Sequence, residues 1–284
     1  MIEVKNASYV YSAGGPFEKE ALSGVDLRIE SGEFCGLIGH TGSGKSTLVQ
    51  LIAGLIRPTN GQILIDGIDI GKKGARGGEL KGRVGLVFQY PEHQLFEETV
   101  IKDVCFGPLN LGFSPEEARS RASAALQTVG IPEALYEKSP FDISGGQKRR
   151  VAVSGVLAME PSVLILDEPT AGLDPAGRED ILNSIKELHR TKKITVILVS
   201  HSMEDIARSA SRIIVMNNGK VAEDGDVNYV FSRHEKLSAM GLSIPQIGRL
   251  MLRLGEMGLD VPKDIYTVSG AAEYLTELIG GKNA

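Results

Sequence analysis

One octapeptide constrains this chain more than anything else in it. Gly39-His40-Thr41-Gly42-Ser43-Gly44-Lys45-Ser46 stands between the apolar run Phe34–Ile38 and a helical stretch over Ser46–Ala53. Its spacing, Gly-x4-Gly-Lys-Ser, is the pattern of a phosphate-binding loop, in the strand-then-helix context such a loop requires. Glycine lets the main chain turn its N–H groups inward around an anion. The helix that starts near the lysine adds unpaired N–H groups and the positive end of its dipole. Lys45 is expected to reach the β- and γ-phosphates of a nucleotide and the Ser46 hydroxyl to ligate Mg²⁺. Thr47 adjoins the cradle.

The rest of the chain reads as the α/β protein this loop implies. Ile2–Tyr11, Val25–Ile29, Gln62–Ile65, Val84–Phe88, Val163–Leu166 and Ile194–Val199 have the length and composition of strands. Ser114-Pro115-Glu116-Glu117 is a helix start, with a capping serine and proline at the first helical position. Ser144 and Asp174-Pro175 open two more helices, the second with Ile181, Leu182, Ile185 and Leu188 on one face. Alternating short strands and helices predict a mainly parallel sheet with helices on both faces. The early run of strands predicts a small antiparallel subsheet. A length of 284 residues suits one large domain plus an appendage.

Composition removes several functional classes. With 31 basic and 36 acidic residues the net charge is −5, without the basic excess of a nucleic-acid binder. Cys35 and Cys105 fit a reducing compartment and suggest no metal cluster. The charged, alternating start at Met1–Ser12 does not read as a signal peptide, and no apolar run approaches the roughly 20 residues of a membrane helix. Glycine is over-used, 34 residues against an average of roughly 7%. Some belong to motifs; Gly74, Gly77 and Gly78 have no assigned role.

Two further motifs carry chemistry. Val163-Leu164-Ile165-Leu166-Asp167-Glu168 is an apolar strand ending in two acids, which face the ligand crevice if the strand is parallel. Asp167 can hold Mg²⁺, and Glu168, one residue on, can act as general base on a water, an effect worth about 10²–10⁴ in rate. Ile143-Ser144-Gly145-Gly146-Gln147-Lys148-Arg149-Arg150 is a second glycine-rich helix start. Two consecutive glycines in a first turn weaken a helix. They make sense where the backbone must approach something closely.

At this point the chain resembles an ATP-binding-cassette ATPase, a P-loop NTPase with a RecA-like core. Ile143–Gln147 resembles the signature LSGGQ with Ile for Leu, Gln89 the Q-loop glutamine, Ala171-Gly172-Leu173-Asp174 the D-loop and His201 the H-loop histidine. Together with the two Walker motifs they occur in the family's order. The resemblance implies ATP and Mg²⁺ as ligands, with Ser46, Gln89 and Asp167 at the metal. It implies Tyr11 against the adenine and Glu168, His201, Lys45 and Gln89 in hydrolysis. It also implies a head-to-tail dimer, in which Ser144, Gly145, Gly146, Gln147 and Asp174 serve the partner's nucleotide. Asp174 reads equally as a helix cap.

The run Phe88-Gln89-Tyr90-Pro91-Glu92-His93-Gln94-Leu95-Phe96, with Phe106-Gly107-Pro108, resembles the ATPases of energy-coupling-factor transporters, which import vitamins and transition-metal ions. Gly15–Glu18 and Ser139–Asp142 resemble the A-prime type. That type implies pairing with a paralogous ATPase, a homodimer being the alternative. It also implies a transmembrane scaffold contacted through Gln89–Glu98, a separate substrate-binding membrane subunit, and a peripheral place on the cytoplasmic face of the membrane. Glu92, Glu97 and Glu98 are expected acceptors for scaffold arginines. The expected layout is an ATP-binding domain over 1–224, its helical subdomain over about 91–158, and a C-terminal helical dimerisation region over 225–284. Ile247, Leu250, Met251 and Leu254 predict one helix there and Ala271–Ile279 a second. Other transporter ATPases, or soluble cassettes of DNA repair or translation, are the competing readings; the latter tend to carry long coiled-coil insertions or tandem cassettes, which this sequence lacks.

Overall fold

The computed structural model describes residues 1–71 and 80–280; Gly74, Gly77 and Gly78 lie outside them. The chain opens with β1 (Ile2–Tyr11) and β2 (Lys19–Ile29), passes through β3 (Phe34–Ile38) into α1 (Lys45–Ile52), and returns in β4 (Asn60–Ile65) and β5 (Ile68–Asp69). After β6 (Val84–Val87) come α2 (Val100–Leu111), α3 (Pro115–Thr128) and α4 (Gly145–Leu157). The core is completed by β7 (Val163–Asp167), α5 (Pro175–Lys192), β8 (Thr195–Val199), α6 (Met203–Ser209), β9 (Arg212–Asn217) and β10 (Lys220–Asp226). The tail is helical: α7 (Val227–Ser232), α8 (His234–Ala239), α9 (Gln246–Glu256) and α10 (Val268–Gly280).

Among the described residues the strands form two sheets. One is antiparallel in the order β2-β1-β4-β5. The other runs β10-β9-β3-β8-β7-β6, parallel throughout except for the antiparallel edge pair β9–β10. The sequence predicts this division but not β9, β10 or α6, for which it carried no expectation.

Strand periodicity explains how the layers hold together. Successive side chains of a strand point to opposite faces. Leu164, Leu166, Val196 and Leu198 face a core shared with α2 to α6. Their neighbours Val163, Ile165, Ile197 and Val199 face a second core, shared with α1 and the antiparallel sheet. Fully burying one such side chain contributes about 1.5–3 kcal/mol. One face of the parallel sheet is thus covered largely by the small sheet, where helices were expected on both.

The helices begin where caps allow. Ser114, Ser144 and Asp174 each accept a hydrogen bond from the main-chain N–H three residues on. Helix α2 is a departure: Gly107-Pro108 lies within it, a pair that lowers helix propensity. Gly107 is there for contact, since a Cβ at that position would stand 2.8 Å from Met159 Cγ of the segment after α4. In the tail, α9 and α10 share a small core of Met251, Val261 and Ala271. Tyr266 packs on Phe231 of α7, ring centroids 5.1 Å apart, and both are buried in the main core.

Candidate active site

The phosphate loop leaves β3 through Gly39 and enters α1 through Gly44. Both positions require glycine. A Cβ on Gly39 would lie 2.5 Å from the Met216 carbonyl and from Ser43 Oγ. Gly44 has φ 105°, and a Cβ there would meet the Ala21 carbonyl at 2.8 Å. The turn is therefore wedged between β2 and β9. The Lys45 side chain folds back on the loop, its Nζ donating to the carbonyls of Gly39 at 2.6 Å and His40 at 3.0 Å. Burial holds this ammonium below its ordinary pKa, while Glu168 and Asp167 pull the other way. His40 is braced by Asn217, whose Oδ1 lies 3.1 Å from its Nε2.

A cleft of about 470 Å³ opens beside the loop. Thr41, Gly42, Gly44, Lys45, Ser46 and Thr47 form one wall. Gln89, after β6, and Asp167 and Glu168, at the end of β7, form another, with His201 after β8. Parallel neighbours β6, β7 and β8 deliver these side chains together because their carboxyl ends lie on one edge of the sheet. Tyr11 completes the rim, its hydroxyl 3.2 Å from Thr47 Oγ1 and its ring edge-to-face with Tyr9 at 4.8 Å. Lys19 also lines the cleft. It was passed over in the sequence because β2 starts at a polar Lys-Glu pair, six residues before the expected strand.

Both acids are desolvated, and Glu168 is strained as well. Glu168 has φ 51°, the left-handed region, which favours glycine and marks functional strain. Its Oε1 is buried without a hydrogen-bond partner, 3.8 Å from His201 Nε2. Burial, reinforced by the Asp167 charge, pushes its carboxyl up to about 7. Burial likewise raises Asp167 and lowers His201. Behind them the buried Asp205 accepts from Thr170 Oγ1 at 2.8 Å, tying the turn after Glu168 to α6 after His201.

The second glycine-rich helix start lies elsewhere: Ser144, Gly145, Gly146, Gln147 and Asp174 do not line this cleft. Ser144 and Gln147 make a reciprocal capping box, with Gln147 N donating to Ser144 Oγ at 3.3 Å and Ser144 N to Gln147 Oε1 at 2.9 Å. Asp174 caps α5, accepting from Gly177 N at 3.0 Å. Gly145 and Gly146 have ordinary helical backbone and nothing within 4 Å of where a Cβ would stand. Among the described residues no contact calls for glycine there. One expectation needs correction. Glu92 does not wait for a partner's arginine, because Arg149 of the same chain holds both its carboxylate oxygens. Glu98 is paired with Lys102.

The donors on hand suit a magnesium ion: a hydroxyl, an amide oxygen and a carboxylate, all hard oxygen ligands, beside an orphaned buried carboxylate oxygen. A cluster of three or more His, Cys, Asp and Glu side chains able to hold a metal alone is absent among the described residues. With this few protein ligands, Mg²⁺ would need a substrate's phosphates to complete its coordination.

Known proteins resemble the chain in sequence and in fold. The family model described as ABC transporter matches residues 22–171, just over half the chain. The energy-coupling factor transporter ATP-binding protein EcfA2 of Clostridium perfringens is 52% identical over 283 residues, covering 99% of both chains. That of Caldanaerobacter subterraneus subsp. tengcongensis is 52% identical over 280 residues, covering 99% of this chain and 98% of the relative. Among solved structures, cbiO1 of Clostridium perfringens, described as part of the ABC transporter complex cbiONQ, superposes with TM-score 0.74 at 39% identity, covering 88% of this chain and 98% of that one. The ATP-binding cassette MJ0796, solved as a dimer bound to ADP and Pi, gives 0.72 at 31% identity, covering 80% and 99%. Alike from end to end in sequence and built on the same cassette, the chain belongs to the ABC transporter ATPases, in the branch of energy-coupling factor ATP-binding subunits.

Proposed function

We propose that the chain is the ATP-hydrolysing motor subunit of an importer for vitamins or transition-metal ions, working on the cytoplasmic face of a membrane. The observation that carries this reading is the division of labour in the chain. The phosphate loop, Glu168, Gln89 and His201 converge on one cleft, while Gly145 and Gly146 stand outside it with open space around them. Each cleft then needs the signature helix of a second cassette, and a head-to-tail pair supplies it. A paralogue is the expected second cassette.

The residues act as follows. On binding ATP, Lys45 leaves the Gly39 and His40 carbonyls for the phosphates, and the loop N–H groups close on them. Tyr11 stacks on the adenine. Ser46, Gln89 and Asp167 would hold Mg²⁺, which would supply neutralisation of the charge that develops on the phosphates. Glu168, with a pKa near neutrality, takes a proton from the attacking water. His201 and Lys45 stabilise the charge that shifts. The partner's signature helix grips the γ-phosphate, so hydrolysis releases the two halves.

The segment Gln89–Glu98 supports docking on a membrane scaffold, since Tyr90, Phe96 and the neighbouring Phe106 are exposed aromatics. No helix among the described residues is long and apolar enough to cross a membrane. The test is to recover the tagged chain from detergent-solubilised membranes. A second cassette, a hydrophobic scaffold and a small membrane subunit are expected with it. Recovery without any membrane protein would overturn the reading.

A further inference from the structure

Arg149 lies within a run of three basic residues on α4, yet its side chain is only 2% exposed. A guanidinium taken this far out of water must be fully hydrogen-bonded. It makes four such bonds, on two edges. Nε and Nη2 donate to the two carboxylate oxygens of Glu92 at 2.9 and 2.7 Å. Nη1 donates to the main-chain carbonyl of Pro169 at 3.4 Å and to that of Ala171. Three segments meet on one side chain: helix α4, the short turn Pro91–Gln94 after Gln89, and the loop after Glu168. The Tyr90 ring flanks the same guanidinium, its centroid 5.7 Å away.

We infer that Arg149 is a positioning residue that links the segment Gln89–Glu98 to the turn carrying Glu168, so that displacing the first moves the second. The inference rests on the docking role proposed for that segment; the fork itself is independent of it. The guanidinium is planar and rigid, so a shift of the carboxylate on one edge is passed to the carbonyls on the other. The turn it grips is closed by Ala171 N donating to the Glu168 carbonyl at 3.2 Å. Thr170 in the same turn is bonded to Asp205 of α6, just after His201. A pull on the turn therefore reaches both sides of the cleft. Both ends of this linkage hold a residue in the left-handed region, Tyr90 at φ 55° and Glu168 at φ 51°. Lysine could not replace Arg149, because one ammonium cannot hold a carboxylate and two carbonyls on opposite edges.

Spatial connection alone does not establish coupling, so the test measures it directly. In the full-length chain alone, Glu92→Gln should accelerate amide hydrogen exchange at Ala171–Leu173 and leave strands β7 and β8 unchanged. Unchanged exchange at Ala171, or acceleration spread through β7 and β8, overturns the link. In the complex purified with its membrane subunits, Glu92→Gln should slow ATP turnover about 10–100-fold, because displacement of Gln89–Glu98 by the scaffold no longer brings Glu168 into place. The KM for ATP should stay within about twofold, as should turnover by the cassette pair freed of membrane subunits. Arg149→Lys should reproduce the exchange effect and the loss in the complex, and the double variant should be no worse than the worse single one. Equal losses from Glu92→Gln in both assemblies, or additive losses in the double variant, overturn the relay. A wild-type complex that fails to hydrolyse ATP overturns the proposed function instead, and the exchange measurement still decides the link.

Discussion

Glu168 combines three properties that conflict with stability and suit a base: a left-handed backbone, a buried oxygen without a partner, and a pKa raised to about 7 by burial. Glu168→Gln should bind ATP as wild type does and lose the 10²–10⁴ or so in turnover that a positioned base supplies. Steady-state hydrolysis beside nucleotide titration checks this; wild-type turnover would remove Glu168 from the role. The same shift has a sign for stability. A carboxyl raised from 4.5 in the unfolded chain to about 7 in the folded one contributes fully below pH 4.5 and is lost as pH rises through 7. Glu168→Gln should therefore raise the unfolding midpoint of the nucleotide-free chain at pH 8, with the gain fading toward pH 4.5. By the same titration, kcat/KM should fall as pH drops below about 7.

At the scale of elements, the second glycine-rich helix start is the most informative. Gly145 and Gly146 meet no neighbour, so alanine fits both places and favours the helix by about 1 kcal/mol. Gly146→Ala should stabilise the isolated chain, measured by urea unfolding, while depressing hydrolysis in the assembled pair. Ser144→Arg should cost about 1 kcal/mol through the lost cap, spare nucleotide binding to the isolated chain and abolish hydrolysis. Unchanged hydrolysis in either variant would remove the signature helix from the partner's site. These elements were legible in the sequence because their determinants are local. Caps at Ser114, Ser144 and Asp174 and the loop glycines announce themselves within a few residues. Helix α2 was not legible, because Gly107-Pro108 speaks against a helix and only the close approach to Met159 explains the glycine. Arg149 was hidden for a related reason. In Lys148-Arg149-Arg150 it reads as a solvated charge, and only tertiary packing shows that its acceptors lie in two distant segments.

For the whole molecule, the helical tail is attached through the main core rather than hung from a linker. Phe231 and Tyr266, both of the tail, are buried in the main core cluster, and the buried Glu223 of β10 is ion-paired with Arg233 and Lys236 of the tail. Phe231→Ala should cost about 3–5 kcal/mol, as truncation of a buried aromatic does, and lower the unfolding midpoint of the whole chain in one transition. A separate low-temperature transition would mean that the tail is an independent unit. The separation of the phosphate cleft from the signature helix has a genetic consequence. A chain with Lys45→Ala ruins its own cleft yet still offers an intact helix to its neighbour, and one with Ser144→Arg does the reverse. If the chain pairs with itself, co-expressing the two defective copies rebuilds one working site per mixed pair, and the lesions complement although they lie in one gene. If it pairs with a paralogue, neither copy meets the other and no activity returns.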